Sequence, residues 1–382
     1  MRAVTTVFSI LLILAILLDA FEVVVLPRRV TRRIRFARLF YRATWIPSAA
    51  LARRIRSSHR RETYLGFFGP LSLILLLSVW AVGLIIGFAA LHWSLKSSLK
   101  GVEAPFSFGT YVYLSGTTFF TLGYGDVTPG ATIGRALAVV EAGVGFAFLA
   151  LIIGYLPVIY QAFSRREASI SLLDARAGSP PSATELLRRH GQNTVELDRL
   201  LHDWERWAAD LLESHLSYPV LCYYRSQHNN QSWLTALTAV LDASALVMVG
   251  MEGTPKRQAQ LTFAMARHAV VDLAQIFNTP PGDPSPDRLP SSELNRLRAI
   301  LLAADVRLAD GLDAEQRLAE LRRMYEPFVW ALADFLFIQL PLWVPAAKSF
   351  DNWQTSRWGR ISGLSEARSS RSEPEKEELE HF

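Results

Sequence analysis

Hydrophobic and polar positions divide the chain unevenly. Three long apolar runs lie within the first 163 residues, and a mixed helical pattern occupies most of the rest. Val4 to Leu26 is the first run, long enough to cross roughly 30 Å of hydrocarbon as a helix. Leu71 to Leu91 is the second, and the third runs from Ile133 to about Phe163. Between the last two lie a short polar segment, His92 to Pro105, and a stretch from Ser107 to about Phe119 that Ser107 can cap as a helix. Six residues follow that stretch: Thr121-Leu122-Gly123-Tyr124-Gly125-Asp126.

Past residue 164 the pattern changes. Ala177 to Ala183 is a linker by composition, and Thr184 to Asn278 reads as helix after helix, with Leu186, Leu187, Val195, Leu197, Leu200, Leu201, Trp204 and Trp207 at helical spacing. A second linker, 279–292, carries five prolines and cannot be helical throughout. Ser291 or Ser292 is placed to cap the next helix, and Glu293 to Met324 keeps helical spacing with breaks. Pro327 to Pro345 has one charge, Asp334. Its three prolines leave about thirteen uninterrupted residues, which favours a buried core helix over a fourth span. The tail from Lys348 is polar, ends in an acidic stretch, Glu373 to Glu380, and has the composition of a disordered segment.

Charge sets an orientation. The loop Pro27 to Arg61 holds twelve arginines and no acid, a density that belongs on the cytoplasmic side. The first run therefore reads as a retained helix with its N-terminus outside, in a multi-pass protein of the plasma (inner) membrane. Arg29, Arg32, Arg35 and Arg38 recur every third residue, as in a voltage-sensing helix with Asp19 and Glu22 as countercharges. The other helices of a sensor are missing, and Arg28 and Arg33 spread charge around most of the turn. An interfacial helix that sets its arginines on anionic lipid, along Arg28 to Arg61, explains the same residues.

Two glycines around one tyrosine allow a backbone that Cβ-bearing residues resist. Four copies of such a segment around an axis make stacked rings of carbonyl oxygens that can replace the hydration shell of a cation. Thr-Leu-Gly-Tyr-Gly-Asp, between apolar spans, resembles the signature of the potassium channel pore family over roughly residues 65 to 165. The resemblance implies K+ ligands from Thr121, Leu122, Gly123, Tyr124 and Gly125, with Asp126 held behind the outer mouth by the pore helix. Tyr113 stands where many relatives have tryptophan, and Tyr113 and Thr117 are assigned to filter support. Phe120 and Leu122 depart from the commonest residues of the family. Gly145 matches the hinge glycine of the inner helix, although close helix packing explains a glycine there equally well. Pro157 is placed to kink the helix near its inner end. Glu141, the one acid of this span, should face protein or water rather than lipid.

One chain carries one such segment, so a closed ring of four copies follows. The expectation is an all-α membrane protein: three transmembrane helices with a re-entrant pore loop, then an all-α cytoplasmic domain. The parts are residues 1–26, 27–64, 65–163, 164–347 and 348–382. No nucleotide-binding GxGxxG after a strand, nucleophile motif or cofactor loop appears, so neither an enzyme nor a cofactor is expected, nor a nucleic-acid partner. Cys222 stands alone and reads as a small buried hydrophobe. Asp198, His202 and Glu205 share a helix face, as a metal triplet or, more simply, a solvated one. Tyr218 to Trp233, rich in aromatic residues, reads as a helix–helix contact or the lining of a ligand pocket. A regulatory ligand or protein at the cytoplasmic domain is expected but unnamed. Weakly selective cation conduction, or a receptor or scaffold with a silent pore, are the other readings.

Overall fold

The computed structural model describes residues 2–26, 36–101, 107–228, 231–251 and 256–345. Arg28, Arg29, Arg32, Arg33 and Arg35 and the acidic tail lie outside the described residues. The chain is mostly helical. The amino-terminal helices are α1 (Arg2–Ala20), α2 (Phe36–Arg54), α3 (Ser58–Ser94), α4 (Phe108–Phe119) and α5 (Thr132–Ala177). Then come α6 (Ala183–His190), α7 (Thr194–Ser217), α8 (Trp233–Gly250), α9 (Lys256–Ile276), α10 (Ser291–Ala303), α11 (Leu312–Arg323) and α12 (Glu326–Leu336). One small antiparallel ribbon pairs β1 (Leu99–Lys100) with β2 (Thr128–Pro129).

Among the described residues, four helices are long and apolar enough to cross a membrane: Arg2–Val25, Ser58–Ser94, Thr132–Ala177 and Trp233–Gly250. They are not equivalent. In α8, 89% of the apolar window is buried inside the protein, against 17% in α5. A helix apolar all round is either a core helix or a membrane span, and α8 is wrapped by its own chain. The segment 327–345 holds only the eleven-residue α12, about 17 Å long. Val329, Leu332 and Leu336 of α12 sit in the same core as α8 and α9, as the core-helix reading requires.

α1 lies antiparallel against α3. Thr6 donates to Ser94 Oγ (2.9 Å) at one end, and Trp80 Nε1 donates to Asp19 (3.1 Å) at the other. Between them Gly83 and Gly87, one turn apart, receive Ile16 and Ile13; an added Cβ would stand 2.6 and 2.8 Å from those side chains. Small residues one turn apart let membrane helices approach this closely. Asp19 also accepts from the Ala37 amide (3.2 Å), so one buried carboxylate joins α1, α3 and the first turn of α2. The chain just after it, Phe21–Val25, widens into a π-helical turn carrying buried Glu22.

Several expectations need correction. The second apolar helix begins at Ser58, capped by Ser57, and the third continues fourteen residues past Phe163 to Ala177. Both stay helical through Pro70 and Pro157. Proline removes one backbone hydrogen bond and can kink a helix without ending it, so a continuous helix is compatible with the expected kink at Pro157. Neither Ser291 nor Ser292 caps α10: the helix starts at Ser291, with Pro290 before it. The triplet Asp198, His202 and Glu205 does not close on an ion. Glu205 accepts from Gln258 (2.7 Å), and no metal-ligating cluster exists among the described residues. Cys222 is buried, and burial pushes its thiol pKa up.

Candidate functional site

The pore unit is built on α4. Ser107 caps its first turn by accepting from the Thr110 amide (3.3 Å), and the helix ends at Phe119 with its carbonyl end toward residues 120–126. That end carries partial negative charge, which favours a cation beyond it. Positive φ then recurs at every second residue: Thr121 (+56°), Gly123 (+55°) and Gly125 (+78°). In an ordinary strand successive carbonyls point to opposite sides. Alternating left-handed residues with ordinary ones turns them toward one side, and glycine at two of the three positions removes most of the steric cost. All six residues from Thr121 to Asp126 are exposed in the single chain, Tyr124 at 68%.

Support comes from behind. The Thr117 carbonyl accepts from the amides of Leu122 (2.8 Å) and Gly123 (3.4 Å), fixing the inner end of the segment. The Thr117 hydroxyl turns back onto its own helix, donating to the carbonyls of Tyr113 and Leu114 (3.0 Å each), so its contribution is through the backbone. At the outer end Tyr113 Oη donates to Asp126 Oδ2 (2.7 Å), while Asp126 Oδ1 accepts from the Val127 amide (3.0 Å).

Three further supports join residues that are distant in the sequence. Gly101, at φ +94°, packs so closely on the Asp126 carbonyl that a Cβ would lie 1.7 Å from the oxygen. The ribbon holds it there: β1 pairs with β2, and Gly130 donates to the Ser98 carbonyl (2.7 Å). Second, Glu141 of α5 and His92 of α3 are fully buried, with Nε2 3.6 Å from Oε2, and Ser115 of α4 faces the same carboxylate. This polar knot joins both framing helices to the pore helix, which is why Glu141 faces protein. Third, Glu141, Gly145 and Phe148 form one face of α5. A Cβ on Gly145 would meet the Phe119 carbonyl oxygen at 1.9 Å, and the Phe148 ring lies 5.8 Å from the Phe119 ring. Gly145 thus fits the close-packing alternative, in a helix that is continuous through it. Gly143 and Gly154 have open space around them in the single chain.

α5 also reaches the rest of the chain. Arg166, just past the third apolar run, is 4% exposed. Its guanidinium donates to the carbonyls of Leu221 and Tyr224 (2.9 Å each) and to Glu167 (2.9 Å), and meets His215 Nε2 at 3.2 Å. Burial, with the Arg166 charge adding to it, holds His215 well below the usual histidine pKa. The turn it grips, Pro219–Tyr223, leads into an aromatic cluster in which Tyr223 packs on Trp45, Phe68 and Phe335. Gly69 of α3 lies flat against the Tyr224 ring. Both readings of Tyr218 to Trp233 find a part here: Tyr223 packs in an aromatic helix–helix contact and, with Arg225 and His228, lines a cavity.

A pore helix aimed at an alternating, glycine-bearing segment between two apolar helices defines a helical membrane protein with an ion channel unit. Residues 74–161 match the family described as Ion channel, and over this unit the chain belongs to that family. It is similar to an uncharacterized membrane protein, YdjJ, of Bacillus subtilis (strain 168): 24% identical over 252 residues, 64% of this chain and 72% of that one. It is also 30% identical over 110 residues to protein LctB of Bacillus caldotenax, 26% of this chain and 75% of that one. No solved structure matches.

Proposed function

We propose that the protein is a potassium-selective channel of four identical chains, conducting K+ passively through the carbonyls of Thr121 to Gly125. The carrying observation is the alternation of positive φ at Thr121, Gly123 and Gly125, on a strand braced by Tyr113 and Thr117 yet unpaired in the single chain. A filter needs ligands from several sides, and the exposed faces of Tyr124 and of α5 supply room for neighbouring copies. α1, α3 and α5 are the three spans, with the arginine-rich segment and the helices from α6 onward in the cytoplasm. The N-terminus of α1, beside Ser94, is on the filter side and outside, at the plasma membrane. Arg38 and its neighbours rest on anionic lipid, and the helical domain acts on the pore through the Arg166 clamp.

The test is K+ efflux from liposomes holding the purified protein, beside Na+ and a Gly123→Asp control. Selective K+ efflux lost in the control supports the reading. Equal Na+ efflux points to a weakly selective cation channel. Absent flux with a reproducible bound protein partner points to a receptor or scaffold.

A further inference from the structure

A cavity of about 2690 Å³ lies between α2, the first turns of α3, and the helices of the carboxy-terminal part. Four buried side-chain polar atoms of its lining residues have no hydrogen-bond partner: Arg61 Nε, Ser226 Oγ, Trp330 Nε1 and Trp343 Nε1. Three of these groups can only donate, and the serine can donate. Among the described residues, no buried carboxylate or amide oxygen of the lining is left unpartnered. Buried polar groups are almost always satisfied, so the wall is short of acceptors; these atoms stand just behind the cavity surface, and a guest meets the lining arginines first.

Charge points the same way. Arg38, Arg42 and Arg53 lie along the cavity face of α2, and Arg61 follows at the start of α3. None of them has a carboxylate partner among the described residues; Arg53 instead lies over the Phe337 ring at 5.3 Å. Most acids around the cavity are already engaged: Glu62 with Arg225, Asp287 with Arg322, Glu293 with Arg296, and Asp272 with His268. Asp283 and Asp334 remain, and buried Glu22 also lines the cavity. Trp45, Ile46, Phe335 and Ile338 make other parts of the wall apolar. Guanidinium groups suit phosphate oxygens, and the apolar wall suits a body attached to them.

We propose that this cavity binds a phosphate ester carrying an apolar or aromatic body, its phosphate on the α2 and α3 arginines. The same chemistry is offered by a phospholipid of the inner leaflet and by a soluble organic phosphate. This gives a class to the unnamed regulatory ligand of the reading above, and rests on that reading for its link to gating but not for binding. Tyr41 and Trp45 join the cavity wall to the aromatic cluster on Tyr223, next in the chain to the Tyr224 carbonyl that Arg166 grips, so an occupant bears on the turn that α5 grips.

The test is thermal unfolding of the full chain in neutral detergent, followed by tryptophan fluorescence. The probes are dioctanoylphosphatidylglycerol, adenosine monophosphate and, lacking phosphate, dioctanoylglycerol. A saturable rise in unfolding temperature with either phosphate probe supports the proposal; the first alone names the membrane as source, the second the cytosol. The double variant Arg42→Ala/Arg61→Ala raises the half-saturating concentration about tenfold or more, and Trp330→Phe raises it less. Arg199→Ala/Arg206→Ala, on α7 and off the cavity, leaves it unchanged. No saturable rise, an equal rise with dioctanoylglycerol, or loss in the off-cavity variant would overturn the proposal. A chain that conducts K+ but binds no phosphate probe sinks this inference and leaves the pore reading standing.

Discussion

At the scale of single residues, the candidate filter is held by contacts that tolerate little change. Tyr113→Phe removes the hydroxyl on Asp126 and leaves the ring, so the outer mouth loses its side-chain tether while α4 stays intact. The expected result in the liposome assay is an initial K+ flux that decays several-fold faster than in the parent. Gly145→Ala separates packing from hinging. A Cβ pressed onto the Phe119 carbonyl must displace α5 or α4, and α4 positions the segment that follows it. The K+/Na+ flux ratio should therefore fall. A lost hinge alone would reduce flux at an unchanged ratio, and that outcome would reinstate the bend.

At the scale of elements, two junctions hold the helices in register. In the groove between α1 and α3, Gly83→Val or Gly87→Val forces Ile16 or Ile13 out of place. Overpacking of this kind costs about 1–3 kcal/mol, read as a lower unfolding temperature in detergent. The other junction is Arg166, whose removal leaves two carbonyls and Glu167 without their buried partner. Arg166→Ala is expected to cost about 3–5 kcal/mol, and lysine should not rescue it because one ammonium cannot reproduce the planar fork. Rescue by Arg166→Lys would mean that charge, rather than geometry, holds the turn.

At the scale of the whole molecule, stability should depend on pH through His215. Its pKa is lowered in the folded state, so around pH 6 the unfolded chain binds a proton that the native one refuses. Stability attributable to this group is full above the unfolded value of about 6.5 and falls as pH drops below it, by up to about 1.4 kcal/mol per pH unit. Unfolding compared at pH 7.5 and 5.5 checks this, and His215→Leu should flatten that part of the profile. Assembly is the other molecular property. Val139, Phe146 and Ile153 of α5 are exposed apolar residues in the single chain, and cross-linking in neutral detergent should trap four copies.

What the sequence determined by itself is what neighbouring residues decide among themselves. The Ser107 cap, the extent of α4, the apolar lengths of the spans and the glycines that permit positive φ are all local. So is the reach from Tyr113 to Asp126, thirteen residues apart on a short helix and the loop it starts. Tertiary structure decided what depends on the register between distant helices. His92 meets Glu141 across forty-nine residues, and Arg166 reaches Leu221 across fifty-five. Gly101 lies under Asp126 only because the ribbon folds back, and α8 is wrapped by protein only because other helices surround it. Periodicity tells which face of a helix is apolar, but not whether lipid, a neighbouring helix or a second chain will cover it. That is settled by which surfaces fit, a property no single stretch of sequence contains.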